Sequence, residues 1–552
     1  MKPGGVPLNP RQDLMAGLTV ALIALPLALA LGVASIPIGT ETPMPAPATG
    51  VFTAILGGFL VSLLGGSRVQ IGGPTAAFIP IVILIIMNHG YMGLLVATVM
   101  AGVILVVMGV ARMGVLIKYI PWPVTSGFTT GIAVAIMLGQ IPDALGLSAE
   151  TARPREFLER IEWIAAHIGT ANPLSMLLAG TAIVVILAWS RLKITRVPGS
   201  VAALILTTLA VAVFGLDELG VMTIAGRFGE GALAFGWPVP SLPQVELAML
   251  RDLIGPATAI ALLGAIESLL SAVVADGLSG DRHDSNTELI AQGISNILCP
   301  FFGGLPVTGA VARTSANIAS GARSPLAGVT AAFIILAIAL AAGPLVGKVP
   351  LAGVAAVLIG VGLRMGDWHE LQRLLRMPHS DAVVLVTTLG LTVAFDLVIA
   401  VEVGMVLAAI LFIKRVSETT EVARVHPNDE LIRPENIILG RQIPDGAVIY
   451  RIFGPFLFGA AEKMEDALSR IDALPRVLIL EMHLVTAMDL TGMNALESVV
   501  ERLHRAGGHV VISGIHHQPL QMLRKAGFIP VIGRENFCAT LEDSLKRAEE
   551  LT

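Results

Sequence analysis

The sequence is poor in charged residues. Only 14% of its 552 residues are Asp, Glu, Lys or Arg, whereas 54% are hydrophobic and the mean hydropathy is +0.79. A soluble domain carries roughly 25% charged residues, so the composition excludes an ordinary soluble protein. Long stretches of the first 415 residues have no charge, and the remainder resembles a soluble domain in composition. The sequence therefore predicts a large membrane domain followed by a soluble one.

Cysteine is scarce, and the usual catalytic patterns are missing. Cys299 and Cys538 are the two cysteines, which excludes a disulfide framework. There is no basic tail, so nucleic acid is not an expected partner. His283, His369 and His379 fall at loop positions without metal-ligand spacing, and the chain has no phosphate loop, zinc motif or Ser/His/Asp order. We expect no enzyme activity, no cofactor and no metal site.

The apolar segments indicate a multi-pass membrane domain over residues 1–415. A helix needs about 20 apolar residues to cross a bilayer. Seven such segments lie between about 14 and 216, and seven more between about 253 and 413. In order they are 14–34, 50–64, 74–88, 92–111, 120–139, 174–190, 198–216, 253–275, 286–302, 308–321, 325–347, 350–363, 380–395 and 396–413. Basic residues concentrate in alternate loops and at the termini, which predicts that both termini are cytoplasmic.

The rest of the chain predicts a linker and a small α/β domain. Residues 416–444 are polar and contain several prolines, as a linker does. Residues 445–552 alternate between strand and helix patterns, which is typical of a small α/β domain. The predicted elements are strand Ala447–Phe453, helix Ala460–Leu474, strand Val477–Met482, helix Thr491–Arg505, strand His509–Ser513 and helix Gln518–Ala526.

A glycine-rich break interrupts the membrane domain at residues 65–80. Its glycines and Pro74 interrupt the backbone hydrogen bonding, which a bilayer tolerates only where protein or a water-filled cavity surrounds the chain. Proline suits the first turn of a helix, so a helix is expected to begin there, with free N–H groups near Thr75, Ala76 and Ala77. A helix N-terminus carries partial positive charge and binds anions. The break therefore predicts an anion site inside the membrane.

The second half of the membrane domain contains a counterpart of this break. Residues 303–304 are a glycine pair before the tenth segment, as residues 65–66 are before the third, and a short helix of small residues starts seven residues later in each case. Seven spans per half is an odd number, so equivalent spans have opposite orientations and the two broken helices should meet N-terminus to N-terminus. The N–H groups on this side belong to Gly309, Ala310, Val311 and Ala312. Tight helix packing through small residues is the alternative explanation.

Three more residues are candidates for a site within the membrane. Glu267 stands in the middle of an apolar segment, where an ionisable group is costly and usually lines a site or a proton path. It could bind a proton or sodium ion on one side and release it on the other, or it could be a carboxyl group bonded to a neighbouring helix. Arg313 is a cation for a bound anion, a partner for Glu267 or part of a structural ion pair. Pro26 breaks the first segment, either as a plain kink or at the site.

Several sequence runs together resemble those of a known family. They are the Asp13–Gly17 start with Pro26 in the first segment, Gly72-Gly73-Pro74-Thr75-Ala76, Gly264 to Ser271, Phe301-Phe302-Gly303-Gly304 and the C-terminal α/β domain. They resemble the SulP/sulfate permease family of anion transporters over nearly the whole chain. Within the family, the runs Gly-Pro-Thr-Ala-Ala-Phe and Gly-Ala-Ile-Glu-Ser-Leu-Leu are most similar to bacterial aerobic C4-dicarboxylate transporters.

The resemblance implies an α-helical membrane protein with 14 transmembrane segments in a 7+7 inverted repeat. Spans 1–4 and 8–11 would form a substrate-carrying core, and spans 5–7 and 12–14 a gate against which the core moves as an elevator. Substrate would lie between the third and tenth helix ends. Comparison of the two halves adds a prediction of its own: selectivity depends on the residues that do not match between them, Thr75 and Phe78 on one side and Arg313 on the other. The resemblance also implies a homodimer in a bacterial inner membrane.

The family further implies an ion-coupling site. Sodium-coupled bicarbonate members carry an aspartate at the position of Glu267 and a hydroxyl residue at that of Ser271, and glutamate here favours protons over sodium. The hypothesis is proton-coupled symport of C4-dicarboxylates such as fumarate or succinate. The alternatives are sulfate or bicarbonate transport, sodium- or proton-coupled, and an uncoupled anion channel. A membrane-anchored signalling protein is a further class, which the broken helices argue against because an anchor needs none.

The C-terminal domain resembles a STAS domain. The similarity rests on Val477–Met482 and on the loop Met488–Gly492 before a helix. Bacterial anti-sigma-factor antagonists carry two serines in this loop and the second is phosphorylated; here Leu490 and Thr491 occupy those positions. Thr491 is therefore a candidate for phosphorylation or regulation, or else a helix N-cap. The resemblance also implies a cytoplasmic partner of this domain.

Overall fold

The chain divides into two compact units, Met1–Val406 and Leu407–Thr552. The structure, a computed structural model, describes residues 10–37, 39–115, 121–148, 154, 157–191, 198–229, 240, 247–394, 397–419, 421–424, 443–457, 463–464 and 475–552. The first unit is built of helices, and the second is built around a β-sheet.

Helices cover the membrane part of the chain. A 3₁₀ turn at Ala76–Phe78 leads into the third of them. In chain order they are α1 (Pro10–Ser35), α2 (Ala46–Leu64), α3 (Ile79–Val110), α4 (Trp122–Leu145), α5 (Phe157–His167), α6 (Pro173–Arg191), α7 (Gly199–Phe214), α8 (Ile224–Phe228), α9 (Leu247–Asp252), α10 (Ile254–Ser279), α11 (Ser285–Phe301), α12 (Val311–Ala319), α13 (Leu326–Val346), α14 (Leu351–Met365), α15 (Trp368–Arg373), α16 (His379–Ala394) and α17 (Leu397–Thr419).

Each of the fourteen predicted segments overlies a helix or part of one. The third and fourth both fall in α3, where Gly90 separates them with non-helical backbone angles (φ 69°, ψ 178°). Within the described residues, five helices are long and apolar enough to cross a membrane, namely α1, α2, α3 with its leading turn, α4 and α10. The α5–α6 pair, bent by 118°, makes a sixth if it is one span. The count of fourteen crossings stays a prediction.

The membrane helices pack as two bundles. Helices α1, α2, α3 and α10 to α13 contact one another extensively, and so do α4, α6, α7, α14 and α16. The first set corresponds to the predicted core spans, and the second contains all the predicted gate spans except the last. Glycine allows the closest approaches: Gly32 and Gly50 face the backbone carbonyl groups of Ala46 and Ala28 where α1 meets α2, and a side chain there would separate the helices.

A buried carboxylate joins the first helix of one half to a helix of the other. Asp13 is 1% exposed. Its Oδ1 accepts hydrogen bonds from the amides of Arg323 (2.8 Å) and Ser324 (3.2 Å), and its Oδ2 accepts one from the Ser324 hydroxyl (2.6 Å). The two amides lie just before α13, where a helix start leaves N–H groups without backbone partners, and Asp13 supplies their acceptor. The start of α1 is thereby fixed to the start of α13.

The two broken segments meet in a sheet of two very short strands. Strand β1 (Gly72–Gly73) pairs antiparallel with β2 (Thr308–Gly309). Gly73 has a φ of +137°, and a Cβ there would lie 2.7 Å from Nη1 of Arg313, so this position requires glycine. The two breaks that the repeat predicts to meet are therefore joined by backbone hydrogen bonds.

The second unit contains a five-stranded sheet in the order β3-β4-β5-β6-β7. Strand β3 is antiparallel to β4, and the other neighbouring pairs are parallel. The strands are β3 (Glu421–Arg424), β4 (Ala447–Phe453), β5 (Val477–Leu484), β6 (His509–Ser513) and β7 (Phe537–Cys538). The described helices of this unit that follow α17 are α18 (Leu490–Arg505), α19 (His517–Lys525), α20 (Ile529–Ile532) and α21 (Leu541–Leu551).

Most predicted elements of this unit are confirmed. The three predicted strands match β4, β5 and β6, and the last two predicted helices match α18 and α19. The predicted helix Ala460–Leu474 lies outside the described residues apart from 463–464. The prediction of 416–444 as a plain linker was wrong at its start, because α17 extends to Thr419 and β3 follows. An edge strand of four residues pairs through its backbone, so its side chains gave little pattern to detect.

Helices α3 and α11 provide a test of the packing. A Cβ on Gly293 would lie 2.6 Å from the carbonyl oxygen of Gly102, whereas one on Gly277 in α10 would meet no other group within 4 Å. We expect Gly293→Ala to lower the Tm in detergent, because separating the two helices costs about 1–3 kcal/mol. Gly277→Ala should leave the Tm unchanged or slightly higher, since alanine favours the helix. Equal Tm values for the two variants would contradict this packing.

Candidate functional site

The first helix end at the break begins two residues after Pro74. Thr75 is extended (φ −127°, ψ 156°), and the 3₁₀ turn follows it. The amide of Phe78 makes the first hydrogen bond of the turn, to the carbonyl oxygen of Thr75 (3.3 Å). The amides of Ala76 and Ala77 precede that bond and therefore have no intrahelical acceptor. These two N–H groups therefore have no partner in the turn, but Ala77 is 0% exposed and Ala76 6%, so this end is less accessible than the sequence predicts.

The second helix end presents fewer amides than the sequence predicts. The amide of Gly309 donates to Oγ of Ser268 (3.0 Å), and that of Ala310 donates to the carbonyl oxygen of Ile71 (2.9 Å). Both are consumed inside the protein, because broken backbone in a membrane has to find internal partners, so the prediction that they face an anion is wrong.

The remaining amides of the second end belong to Val311, Ala312 and Arg313. They precede the first bond of α12, from the amide of Thr314 to the carbonyl oxygen of Ala310 (2.9 Å). Ala312 is exposed and Val311 is half-buried. This end of α12 is thus accessible at its first residues.

Glu267 lies beside the first helix end. It projects from α10 and is half-buried, and its Oε2 accepts a hydrogen bond from the Thr75 hydroxyl (2.9 Å). Phe78 is 2% exposed, and its ring lies against Gly264, where an added Cβ would be 3.6 Å from Cζ. Phe78 therefore packs on α10 one turn from Glu267 and is not open to solvent.

Arg313 supplies a fixed positive charge behind the two helix ends. Its side chain is 3% exposed, and Nη2 donates to the carbonyl oxygen of Pro74 (2.7 Å). It interacts electrostatically with Glu267, but the ion pairs of the described residues do not include this pair. The guanidinium thus binds the break directly and acts on the carboxylate at longer range.

Hydroxyl groups stabilise the pairing of β1 with β2, and the sequence analysis singled out only Ser271 among them. Oγ of Ser268 contacts Oγ1 of Thr308 (2.8 Å), which donates to the carbonyl oxygen of Gly264 (3.0 Å). Ser271, predicted as an ion-coupling residue, is buried and donates to Oγ1 of Thr314 (3.2 Å), which also accepts from the amide of Ile71 (3.1 Å). The sequence pattern that could have identified these hydroxyl groups is the presence of serine and threonine close to the two breaks.

The structure also places two other candidates, Pro26 and Thr491. Pro26 is buried inside α1, which continues from Pro10 to Ser35. Thr491 is exposed in the first turn of α18, but the N-cap is Asp489, whose Oδ1 accepts from the amide of Gly492 (2.8 Å). The N-cap alternative for Thr491 is therefore wrong, because the aspartate two residues earlier reaches that amide.

A Ser-His-Asp arrangement occurs between α10 and α11, although the sequence showed no such order. His283 places Nδ1 2.7 Å from Oδ2 of Asp276 and Nε2 2.9 Å from Oγ of Ser285. The amide of His283 also donates to Oδ1 of Asp276 (2.9 Å). These bonds close the turn between the helices. Among the residues that the structure describes, no three His, Cys, Asp or Glu side chains group as metal ligands.

Comparisons with known proteins show the family and the fold. The Sulfate permease family matches residues 11–388, and the STAS domain matches residues 441–544. YvdB of Bacillus subtilis, which is named as a sulfate transporter, is 38% identical over 96% of this chain and 96% of its own. The bicarbonate transporter BicA of Picosynechococcus is 30% identical over 98% of this chain and 95% of its own. The murine anion transporter Slc26a9, in its inward-facing state, has the same fold, with a TM-score of 0.83 at 19% identity over 100% of this chain and 92% of its own.

Accessibility of the second helix end can be tested with cysteine substitutions. On a background lacking Cys299 and Cys538, we expect Ala312→Cys to react with a water-soluble maleimide, because Ala312 is exposed. Ala77→Cys should resist it, because Ala77 is 0% exposed. Added sulfate should slow the reaction of Ala312→Cys. Equal labelling of both positions, insensitive to sulfate, would contradict the described site.

Proposed function

The chain belongs to the sulfate permease family of anion transporters, and from this we propose that it is a secondary active transporter that carries a small oxyanion together with a proton. Sulfate and bicarbonate are the first candidate substrates, since relatives that align along almost the whole chain are named for them. The proposal assigns the anion to the space between the two helix ends and the proton to Glu267.

The observation that carries the proposal is the hydrogen bond from Thr75 to Glu267 beside two facing helix ends. Free amides at Ala76, Val311 and Ala312 supply donors, and helix N-termini favour negative charge. The guanidinium of Arg313 adds a full positive charge to the same region. A carboxylate this close to an anion site is otherwise unfavourable, because like charges repel.

That repulsion supplies a mechanism of coupling. Protonation of Glu267 removes its negative charge and so favours a bound anion. A bound anion favours the protonated carboxyl group by the same free energy, because linkage between two sites is reciprocal. Anion and proton then load together and leave together. Sodium is the less favoured coupling ion, and its use would need an oxygen cage around Glu267 and Ser271.

The two bundles support an elevator movement. The bundle of α1, α2, α3 and α10 to α13 carries both helix ends, and it contacts the bundle of α4, α6, α7, α14 and α16 mainly where α1 meets α7 and α14. We infer that the first bundle moves against the second and exposes the site to each side in turn. Homodimer formation, location in a bacterial inner membrane and cytoplasmic termini belong to the same proposal.

C4-dicarboxylates are the second candidate substrate. The sequence resemblance implies them through the runs around Thr75 and Glu267, whereas the relatives reported above are named for sulfate and bicarbonate. A competition assay in proteoliposomes separates the candidates. We expect unlabelled sulfate or bicarbonate to inhibit labelled sulfate uptake more strongly than fumarate does. Stronger inhibition by fumarate would replace the first candidate with the second.

Proton coupling predicts a specific loss in Glu267→Gln. Glutamine is neutral like a protonated glutamate but cannot release the proton. We expect an inward proton gradient to raise anion uptake by the wild type, and uptake by Glu267→Gln to stay at the level without a gradient. Glu402→Gln is the matched control, because Glu402 is an exposed carboxylate on another apolar helix, and it should keep the wild-type response.

Two results would overturn these assignments. A gradient response of Glu267→Gln equal to that of the wild type would remove Glu267 as the proton site. Single-channel currents through the reconstituted protein would favour an anion channel over a coupled carrier.

A further inference from the structure

Helix α11 carries a row of polar side chains through the core of the membrane domain. Glu288, Gln292 and Asn296 are each 0% exposed. Their spacing of four residues places them on one face of the helix. Buried polar groups in a membrane are costly unless they are hydrogen-bonded. The row therefore needs partners. Glu288 and Asn296 find theirs in the two broken segments, and Gln292 donates to Glu288 on the same helix.

Glu288 binds the first break. Its Oε2 accepts hydrogen bonds from the amides of Gly66 (2.9 Å) and Ser67 (3.2 Å). Its Oε1 accepts one from Nε2 of Gln292 (2.9 Å). A Cβ on Gly66 would collide with the carbonyl oxygen of Asp284, just before α11. The first break is thus fixed to the start of α11 by both a carboxylate and close backbone contact.

Asn296 binds the second break, two turns further along the same helix. Its Nδ2 donates to the carbonyl oxygen of Val307 (2.7 Å), and its Oδ1 accepts from the amide of Val307 (2.8 Å). The side chain thereby satisfies both backbone groups of one residue, as a neighbouring strand would. Val307 directly precedes β2, so Asn296 fixes the start of that strand.

Helix α3, which follows the first break, also packs against α11. It approaches α11 closely at Gly102 and Gly293. Its Tyr91 donates a hydrogen bond to the carbonyl oxygen of Gly303 in the second break (2.7 Å). Both breaks contact α11, and so does α3, the helix that follows the first break.

We propose that Glu288 and Asn296 are positioning residues that set the separation of the two helix ends and thereby the anion preference of the transporter. The inference rests on the proposed function, because it concerns the same anion site. Neither residue is assigned contact with the anion. The field of a helix end falls off within its first turn, and a shift of about 1 Å at a site can change a rate by about 100-fold. Small movements of β1 or β2 should therefore alter recognition.

The test uses three variants and a control on the same helix. Asn296→Asp keeps the acceptor but loses the donor to Val307, and Asn296→Ala loses both. Glu288→Gln keeps an oxygen acceptor in a side chain of the same size. Asn286→Ala is the control, because Oδ1 of Asn286 accepts from the amide of Gly114 (3.1 Å), a residue that belongs to neither break. Uptake of sulfate, bicarbonate and fumarate is measured in proteoliposomes containing equal amounts of monodisperse protein.

We expect the Asn296 variants and Glu288→Gln to raise the KM for the preferred anion about tenfold or more. The ratio of the KM values for sulfate and bicarbonate should change as well, with a smaller effect on the maximal rate. Asn286→Ala should keep wild-type KM values. A purely structural role would lower the amount of folded protein without changing the ratio.

Two outcomes overturn the inference. One is wild-type KM values and ratios in all three variants. The other is loss of folded protein in all three while Asn286→Ala folds, because the row would then act on stability alone. Failure of the proposed function looks different, since the wild type itself would take up none of the three anions.

Discussion

The backbone pairing between Gly72–Gly73 and Thr308–Gly309 is the constraint on which the membrane domain depends. A chain that stops being helical inside a bilayer has to find its hydrogen-bond partners within the protein. Each break uses the other as that partner, and hydroxyl groups on α10 and α12 satisfy the flanking amides. Each half of the membrane domain therefore needs the other to complete its backbone hydrogen bonds at this position.

The same constraint limits what the site offers to an anion. Amides that pair the breaks are unavailable for a ligand, so the donors are confined to the first residues of the two helices. Arg313 sits behind this junction and binds Pro74, which adds charge without exposing the guanidinium. Glu267 approaches from the side through Thr75. The proposed anion site and the proposed proton site therefore both lie within a few residues of the paired strands β1 and β2.

Helix α11 explains how this joint keeps its shape. Its buried row reaches both breaks through Glu288 and Asn296, and glycines bring α3 against it. The arrangement resembles the outer shell of a metal site, where residues without ligand contact hold those that have it. The proposed elevator movement requires a joint that keeps its shape while the bundle moves.

The sequence by itself determined the apolar segments, the two glycine breaks, the unusual position of Glu267 and the strands β4 to β6. These depend on composition and on short-range periodicity, which are local properties of the chain. The tertiary structure alone decided that Thr75 binds Glu267, that the amides of Gly309 and Ala310 are already satisfied, and that Glu288 and Asn296 hold the breaks. It also decided that β3 follows α17 directly and that Asp489 caps α18. In the membrane domain these partners lie far apart along the chain, 192 residues for Thr75 and Glu267 and 222 for Gly66 and Glu288, so no local pattern could connect them; which polar groups remain free for a ligand is known only once all the others have found their bonds.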